Sequence, residues 1–343
     1  MKSSILKFRN LTWVSATLVL FSCRHGQNEK PYQETVFLMD TVFQISIYDK
    51  ESPALLRADM DSAFSSIRRL EALVSAYVDS SDLNRLRRAP AGTWVAVSMP
   101  TQILLKKSLE TSEKTGGAFD FTLGGIMEAW GFGTDRHRIP SDEEIRALLA
   151  LTGVRHIRMR DGCVLRDDTC RLDLGGIAKG YAVDEAAAVL KRRGIRNALI
   201  NAGGQVIAFG HPPGRQTWRI GVRHPRADSM IAVIETGEAS IATAGDYERY
   251  FIENGVRYHH IMDPATGRPA RSGVVSVTVL AADGITADAY DTPIFVMGPE
   301  KGMRFIESNP ELEGMILYED HGVLRHLVSS GLRKKIRFLD GEN

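Results

Sequence analysis

Leu172-Asp173-Leu174-Gly175-Gly176-Ile177-Ala178-Lys179-Gly180-Tyr181-Ala182-Val183-Asp184 is the stretch from which the fold of this chain is first read. It predicts a strand ending in an acid, two glycines, and an amphipathic helix running from Ile177 to Arg193. Glycines let a ligand approach the backbone closely, and the unpaired N–H groups of a helix start, with Lys179 beside them, favour a phosphate. The pattern is neither a dinucleotide fingerprint nor a P-loop, and a strand-to-helix turn needs glycine for steric reasons alone. On these residues a phosphate cradle and a plain turn therefore stand side by side.

Outward from that stretch, helices and strands alternate. Val36 to Tyr48 is rich in β-branched and aromatic residues and predicts a strand or hairpin. Ser52-Pro53 opens a helix with Leu56, Met60, Phe64, Ile67 and Leu70 on one face, a core stripe. Further helices are expected over 98–114 and 141–151, the latter capped by Ser141 with Glu144 three residues on, a capping box. Short strands follow over 155–174, then strands over 198–209, 218–223, 231–235 and 274–280, helices over 285–297 and 300–308, and terminal strands around Met315 and Val323. This mixture indicates an α+β fold with mixed or antiparallel sheets flanked by helices, and no interdomain linker interrupts it.

At 343 residues the chain has room for about two domains of roughly 150 residues, or one large one. Apolar residues are 43% and charged residues 25%, which excludes a disordered chain, a collagen and a disulfide-dense miniprotein. Lys+Arg (43) nearly cancels Asp+Glu (42), so there is no electrostatic footprint for a polyanion and nucleic acid is not an expected partner.

Lys2, Lys7 and Arg9 precede an uncharged run from Leu11 to Phe21. The run is shorter than the ~20 residues that cross a bilayer and suits a secretory signal. It ends Leu20-Phe21-Ser22-Cys23, which resembles the lipobox of bacterial lipoproteins, with Cys23 as the lipidated new N-terminus. An ordinary cleaved signal and an uncleaved anchor are the competing readings. On the lipoprotein reading, residues 1–22 are the signal peptide and 23–34 the lipidated cysteine with a polar tether. The folded domain then spans 35–335, and the protein is expected to be exported and membrane-anchored, facing the periplasm. Cys163 and Cys170, seven apart across an expected turn at Arg166-Asp167-Asp168, read equally as a cross-strand disulfide or as two free thiols.

Three other segments carry chemistry. In Thr286-Ala287-Asp288-Ala289-Tyr290-Asp291-Thr292, a helix places Asp288, Asp291 and Thr292 at i, i+3 and i+4 on one face. Three hard oxygen donors with no His or Cys suit Mg²⁺; acids facing solvent at a helix start are the alternative. Tyr258-His259-His260-Ile261-Met262-Asp263-Pro264 predicts a strand and turn in which His260 is either a general base or a hydrogen-bonded structural residue. Gly116-Gly117-Ala118-Phe119-Asp120-Phe121-Thr122, with Trp130-Gly131-Phe132-Gly133 downstream, reads as a ring-binding loop or as a glycine-rich turn packing aromatics into the core.

Taken in order, seven segments resemble the ApbE family of FAD:protein FMN transferases over roughly residues 35 to 330. They are Met39-Asp40-Thr41, Gly117 to Thr122, Leu172 to Asp184, Asn201-Ala202-Gly203-Gly204, Thr243-Ala244-Gly245-Asp246-Tyr247, His260 to Pro264 and Ala287 to Thr292. The resemblance implies an ApbE-like flavin transferase fold and an exported, Mg²⁺-dependent enzyme. Such an enzyme moves the FMN half of FAD to a Thr or Ser hydroxyl of an acceptor redox subunit carrying a flavinylation motif, and releases AMP. It further implies that Met39, Tyr77, Ala118, Phe119, Asp120, Asp173, Lys179, Ile261 and Met262 contact FAD. Mg²⁺ would sit on the Gly176 carbonyl, Asp288, Asp291 and Thr292, and His260 would take the hydroxyl proton. An FAD pyrophosphatase giving FMN and AMP, and a non-catalytic FAD-binding lipoprotein, are the alternatives. The chain departs from the family pattern at Asp40, where glycine is usual, at Ala244, where serine is usual, and at Phe121, where proline or valine is common.

Overall fold

The computed structural model describes residues 30–339 apart from Asp135 and Asp168. The signal segment, Cys23 and most of the tether lie outside the described residues. The centre of the molecule is an eight-stranded sheet whose spatial order is also its chain order. Its strands are Tyr32–Leu38, Thr41–Ile47, Ala198–Ala202, Gln205–Phe209, Ala239–Gly245, Val274–Ala281, Glu313–Asp320 and Val323–Val328. Every ladder among the described strands is antiparallel, and the one parallel link is an isolated bridge, Leu123 to Arg171. Of the mixed or antiparallel sheets expected, the antiparallel ones are found.

Helices cover one face of this sheet. Pro53–Val74 starts at Ser52, whose hydroxyl accepts from Leu55 N, and buries Met60, Phe64 and Ile67 against Phe43, Ile45 and Ile47. The helix Ala178–Arg192, here the glycine helix, adds Ala182, Ala186 and Leu190 to that core. The helix Gly284–Met297, here the aspartate helix, packs Ala287, Tyr290 and Ile294 over Val277, Val279 and Ile316. On the other face lies a three-stranded sheet ordered Ile336–Phe338, Met230–Thr236, Trp218–Arg223. It buries Trp218, Ile220, Val222 and Ile234 against Leu199, Ile241 and Leu317. Val274–Ala281, caught between both layers, is buried at every position, which is why it is an unbroken apolar run.

The glycine and aspartate helices touch backbone to backbone. A Cβ on Gly180 would lie 2.1 Å from the Gly284 carbonyl oxygen, and one on Gly284 2.3 Å from that of Gly180. Each helix also caps the other. The Asp184 carboxylate accepts from Gly284 N (2.6 Å) and Ile285 N (2.8 Å), while Asp288 Oδ2 accepts from Gly180 N (2.8 Å). Carboxylates are favoured at both helix starts because the orphan N–H groups there carry partial positive charge.

Several local expectations are corrected. Leu172 to Leu174 is not a strand: Asp173 N donates to the Phe121 carbonyl (2.8 Å) and the Asp173 carboxylate accepts from Gly175 N (2.7 Å), folding the segment into a loop. Gly124–Trp130, read as part of a loop, is a short helix. Ser141 accepts from Glu144 N (3.2 Å), but the Glu144 carboxylate is drawn to Arg138 (2.6 Å), so half of the capping box forms. Cys163 and Cys170 are not joined by a disulfide. Cys163 stands opposite Ala96 and Arg160 in its sheet, and Cys170 lies outside that ladder.

Because no side chain fits at the helix crossing, Gly180→Ala is expected to lower stability by about 3 kcal/mol, the upper range for overpacking. Urea denaturation checks this, and a loss under about 0.5 kcal/mol, as at an ordinary surface site, would contradict the close contact.

Candidate active site

The glycine and aspartate helices meet at the edge of a large cleft, about 2560 Å³, that opens along the sheet. Every site residue named from sequence other than Cys23 lines it, among them His260, Asp288, Asp291, Thr292, Gly176 and Lys179.

The deepest groups are acids. Asp288 and Asp291 are 2% and 5% exposed, which removes the reading of solvated acids at a helix start. Asp288 Oδ2 is occupied by Gly180 N, and its Oδ1 lies 3.5 Å from Lys179 Nζ, which in turn donates to the Gly175 carbonyl (3.3 Å). Burial first, and then the Asp288 charge, hold the Asp291 carboxyl well above the usual carboxylate range, against the pull of Lys179. Two carboxylates in one dry pocket with a single ammonium are under-neutralised. Thr292 completes the helical face, and a Cβ on Gly176 would lie 4.0 Å from Thr292 Oγ1 and 3.2 Å from Phe119 Cε2, so the Gly176 backbone stands between the Thr292 hydroxyl and the Phe119 ring. Among the described residues no three His, Cys, Asp or Glu side chains converge; the oxygen set here is two carboxylates, a hydroxyl and a carbonyl. That donor chemistry fits a hard divalent cation. The phosphate cradle expected at the start of the glycine helix is corrected in one respect: its Gly180 N–H is already taken by Asp288.

His260 follows the strand Val256–His259 and is half-buried. Its Nδ1 lies 3.2 Å from the Arg249 carbonyl, which assigns the proton to Nδ1 and leaves the Nε2 lone pair free. Desolvation, with the Arg249, Lys179 and His259 charges adding to it, pulls the imidazole down to about 3, so it is neutral at physiological pH. The neighbouring His259 is a structural residue, bonded to the Ala270 carbonyl (3.1 Å) and packed on Phe295.

The remaining residues form the rim. Met39 and Asp40 make the two-residue turn of the first hairpin with φ of 50° and 56°, a left-handed pair that explains why glycine is usual where Asp40 stands. Tyr77 is 64% exposed, and its hydroxyl reaches Gly133, where a Cβ would lie 1.8 Å away. Asp120 is raised by burial although Thr122 donates to it from both its N–H (2.8 Å) and its hydroxyl (2.6 Å). Phe119, Ile261 and Met262 are buried, presenting apolar wall.

Sequence reasoning missed the support behind His260. Asp246 is 8% exposed and takes both Arg226 guanidinium nitrogens (2.7 and 2.8 Å), with Arg257 at 3.3 Å. This clamp fixes the turn that carries Tyr247, Glu248 and Arg249. Asp246 lay inside a quoted motif; Arg226 and Arg257 carried no local signal.

The sequence profile of the ApbE family matches residues 39–316. The chain is 34% identical to an FAD:protein FMN transferase of Vibrio cholerae, across 93% of this chain and 97% of the relative. It is 30% identical to an FAD:protein FMN transferase of Treponema pallidum, across 99% of this chain and 98% of that one. The crystal structure of the ApbE protein of Thermotoga maritima superposes with a TM-score of 0.82 at 36% identity, covering 89% of this chain and 99% of that one.

The His260 environment has a measurable consequence. With the folded imidazole at about 3 and the ordinary value at 6.5, the unfolded chain binds more protons between those values, so stability falls as pH drops through that window. Between about pH 7.5 and about pH 5, the wild type is expected to lose more unfolding free energy than His260→Gln in denaturant titrations. Equal losses would show that the imidazole is fully hydrated.

Proposed function

The chain belongs to the ApbE family, and we propose that it joins the FMN half of FAD to a Thr or Ser hydroxyl of its acceptor protein through a phosphoester, using Mg²⁺. It is an enzyme that transfers flavin from FAD to an acceptor protein. The observation that carries the finer reading is the buried Asp288–Asp291 pair beside Thr292 and the Gly176 carbonyl, in the same cleft as a neutral His260. Those four groups would hold the cation, which when bound neutralises and polarises the diphosphate. Lys179 adds a second positive charge at the same place. Met39, Tyr77, Ala118, Phe119, Asp120, Asp173, Ile261 and Met262 would position the flavin and adenine halves. His260 Nε2 takes the proton as the acceptor oxygen attacks the flavin-side phosphorus; the bond to the AMP phosphate breaks and AMP leaves. A hydroxyl is a weak nucleophile, so a fixed base and fixed acceptor geometry carry much of the effect.

The test is to incubate the purified chain with FAD, Mg²⁺ and an acceptor bearing a Thr flavinylation motif, recording AMP and the acceptor's intact mass. An FMN-sized mass gain with AMP supports the transferase; AMP with free FMN and an unmodified acceptor supports the pyrophosphatase instead. Asp288→Ala is expected to abolish AMP formation while keeping part of the FAD binding. His260→Ala should leave FAD binding intact and slow transfer about 100-fold, the lower range for losing a general base; a normal rate would remove it from that role.

We further propose that the protein is exported and held at a membrane by lipid on Cys23. The support is the basic start, the apolar run Leu11 to Phe21 and the Ser22-Cys23 junction, with a short polar tether leading to Lys30. Cys23→Ser is expected to move the protein from the membrane to the soluble fraction and to remove a lipid-sized mass; unchanged fractionation would refute lipidation there.

A further inference from the structure

We propose that the acceptor polypeptide is bound as an extended, acidic segment laid along the free edge of the strand Trp218–Arg223, a placement that rests on the flavin-transfer reading above. This strand ends the three-stranded sheet and, among the described residues, pairs only with Met230–Thr236. Its side chains alternate: Trp218, Ile220 and Val222 are buried against the large sheet, and Arg219, Gly221 and Arg223 are exposed. All six residues nonetheless line the cleft. Successive side chains of a strand face opposite sides, so a cavity that meets every one of them runs along the strand's edge. Every second N–H and C=O on that edge is free to pair with another chain. Across the cleft stands the open side of the first hairpin, with Phe37 67% exposed and in register with Val42.

The charge of this track selects its occupant. Arg219 is balanced by Glu235 (3.4 Å), but Arg215, Arg223 and Arg337 have no ion-pair partner within 4 Å among the described residues. Arg337 shares the exposed face with Arg219 and Arg223, because Gly221, Val233 and Arg337 stand opposite one another in the ladder. Charge on an edge also discourages aggregation, but that purpose does not require the edge to lead into a catalytic cleft. This one does: the Arg223 charge acts on both Tyr247 and Glu248, which directly precede Arg249, whose carbonyl holds His260. A six-residue strand spans about 20 Å, so a segment bound along it would run toward the turn that holds His260. An added strand takes its affinity from main-chain hydrogen bonds and its selectivity from the flanking side chains, here arginines seeking carboxylates.

The test uses the full chain in detergent, loaded with FAD, and a fluorescently labelled acidic peptide containing one Thr. Anisotropy is expected to show binding that weakens about tenfold or more, about 1.4 kcal/mol, in the double variant Arg223→Glu/Arg337→Glu. The same loss is expected for wild type when the peptide is N-methylated at alternate amides, a change that leaves the protein untouched. FAD affinity should stay constant in the variant. Unchanged peptide affinity in the variant, no loss on N-methylation, or no binding to wild type overturns the track. A weakened FAD affinity assigns the arginines to the nucleotide and overturns it equally. AMP release and peptide mass are read in the same samples: charge-dependent binding without any flavin-sized mass gain would sink the transferase reading while leaving the track in place.

Discussion

The structure depends on one contact, the crossing of the glycine and aspartate helices at Gly180 and Gly284. Only backbone fits there, and that closeness brings Asp184 to the start of one helix and Asp288 to the start of the other. The two carboxylates thereby replace solvent at orphan N–H groups that would otherwise be buried without acceptors. For Asp288 the consequence is chemical as well as structural. One oxygen is fixed by Gly180 N, so the other is held at a set place beside Lys179, and a residue of the proposed cation site is already oriented by the fold. The same crowding has an electrostatic cost. Burial lifts the Asp184 carboxyl to about 6, and Asp283 and Asp288 add to the rise. The fold accumulates acids around the crossing that a bound cation would relieve.

How much of this was legible in the sequence follows from where the determining interactions lie along the chain. Ser52-Pro53, the stripe from Leu56 to Leu70 and the i, i+3, i+4 placement of Asp288, Asp291 and Thr292 depend on neighbours within a turn or two, and they were readable. The loop at Leu172 to Gly175 was not. Its apolar alternation matches a strand, but the carbonyl that binds Asp173 N belongs to Phe121, about fifty residues away in sequence. The short helix Gly124–Trp130 was hidden for a related reason: its glycines are poor helix formers, and a Cβ on Gly124 would lie 2.8 Å from the Arg171 carbonyl, a close approach that only the folded chain imposes. Arg226 and Arg257 could not be tied to Asp246 by any local pattern, because the contacts form only in the folded chain, from a loop and a separate hairpin.

Of the three departures from the family pattern, Ala244 and Asp40 differ in physical weight. Ala244 lies within the core between the sheet and the aspartate helix, opposite Val277, where a methyl group packs without needing a partner. Asp40 is different, since the turn it shares with Met39 requires left-handed backbone at both positions. Aspartate is among the residues that tolerate that conformation best, and the turn is further held by Glu71, which accepts from Met39 N (2.8 Å), and by Arg249, which donates to the Asp40 carbonyl (3.3 Å). The second bond ties the first hairpin to the residue whose carbonyl orients His260, so the rim and the base are mechanically one unit.

That union suggests how one cleft handles two substrates of like charge. The acids gathered at the helix crossing need positive charge, and on the proposed reading a nucleotide diphosphate would bring more negative charge to the same place, which Lys179 and a bound cation would offset. The basic groups that those acids leave unsatisfied, Arg215, Arg223 and Arg337, stand farther along the cleft, where the small sheet ends. Separating the charges in this way would let FAD and the proposed acidic segment approach from different directions without competing for the same positive charge. His260 lines the same cleft, and its neutrality suits the proposed role: an imidazolium there would attract the diphosphate and lose the lone pair that a base would need. Burial and the adjoining cations Arg249 and Lys179 keep it neutral, so the groups that bind the charged substrates also preserve the base between them.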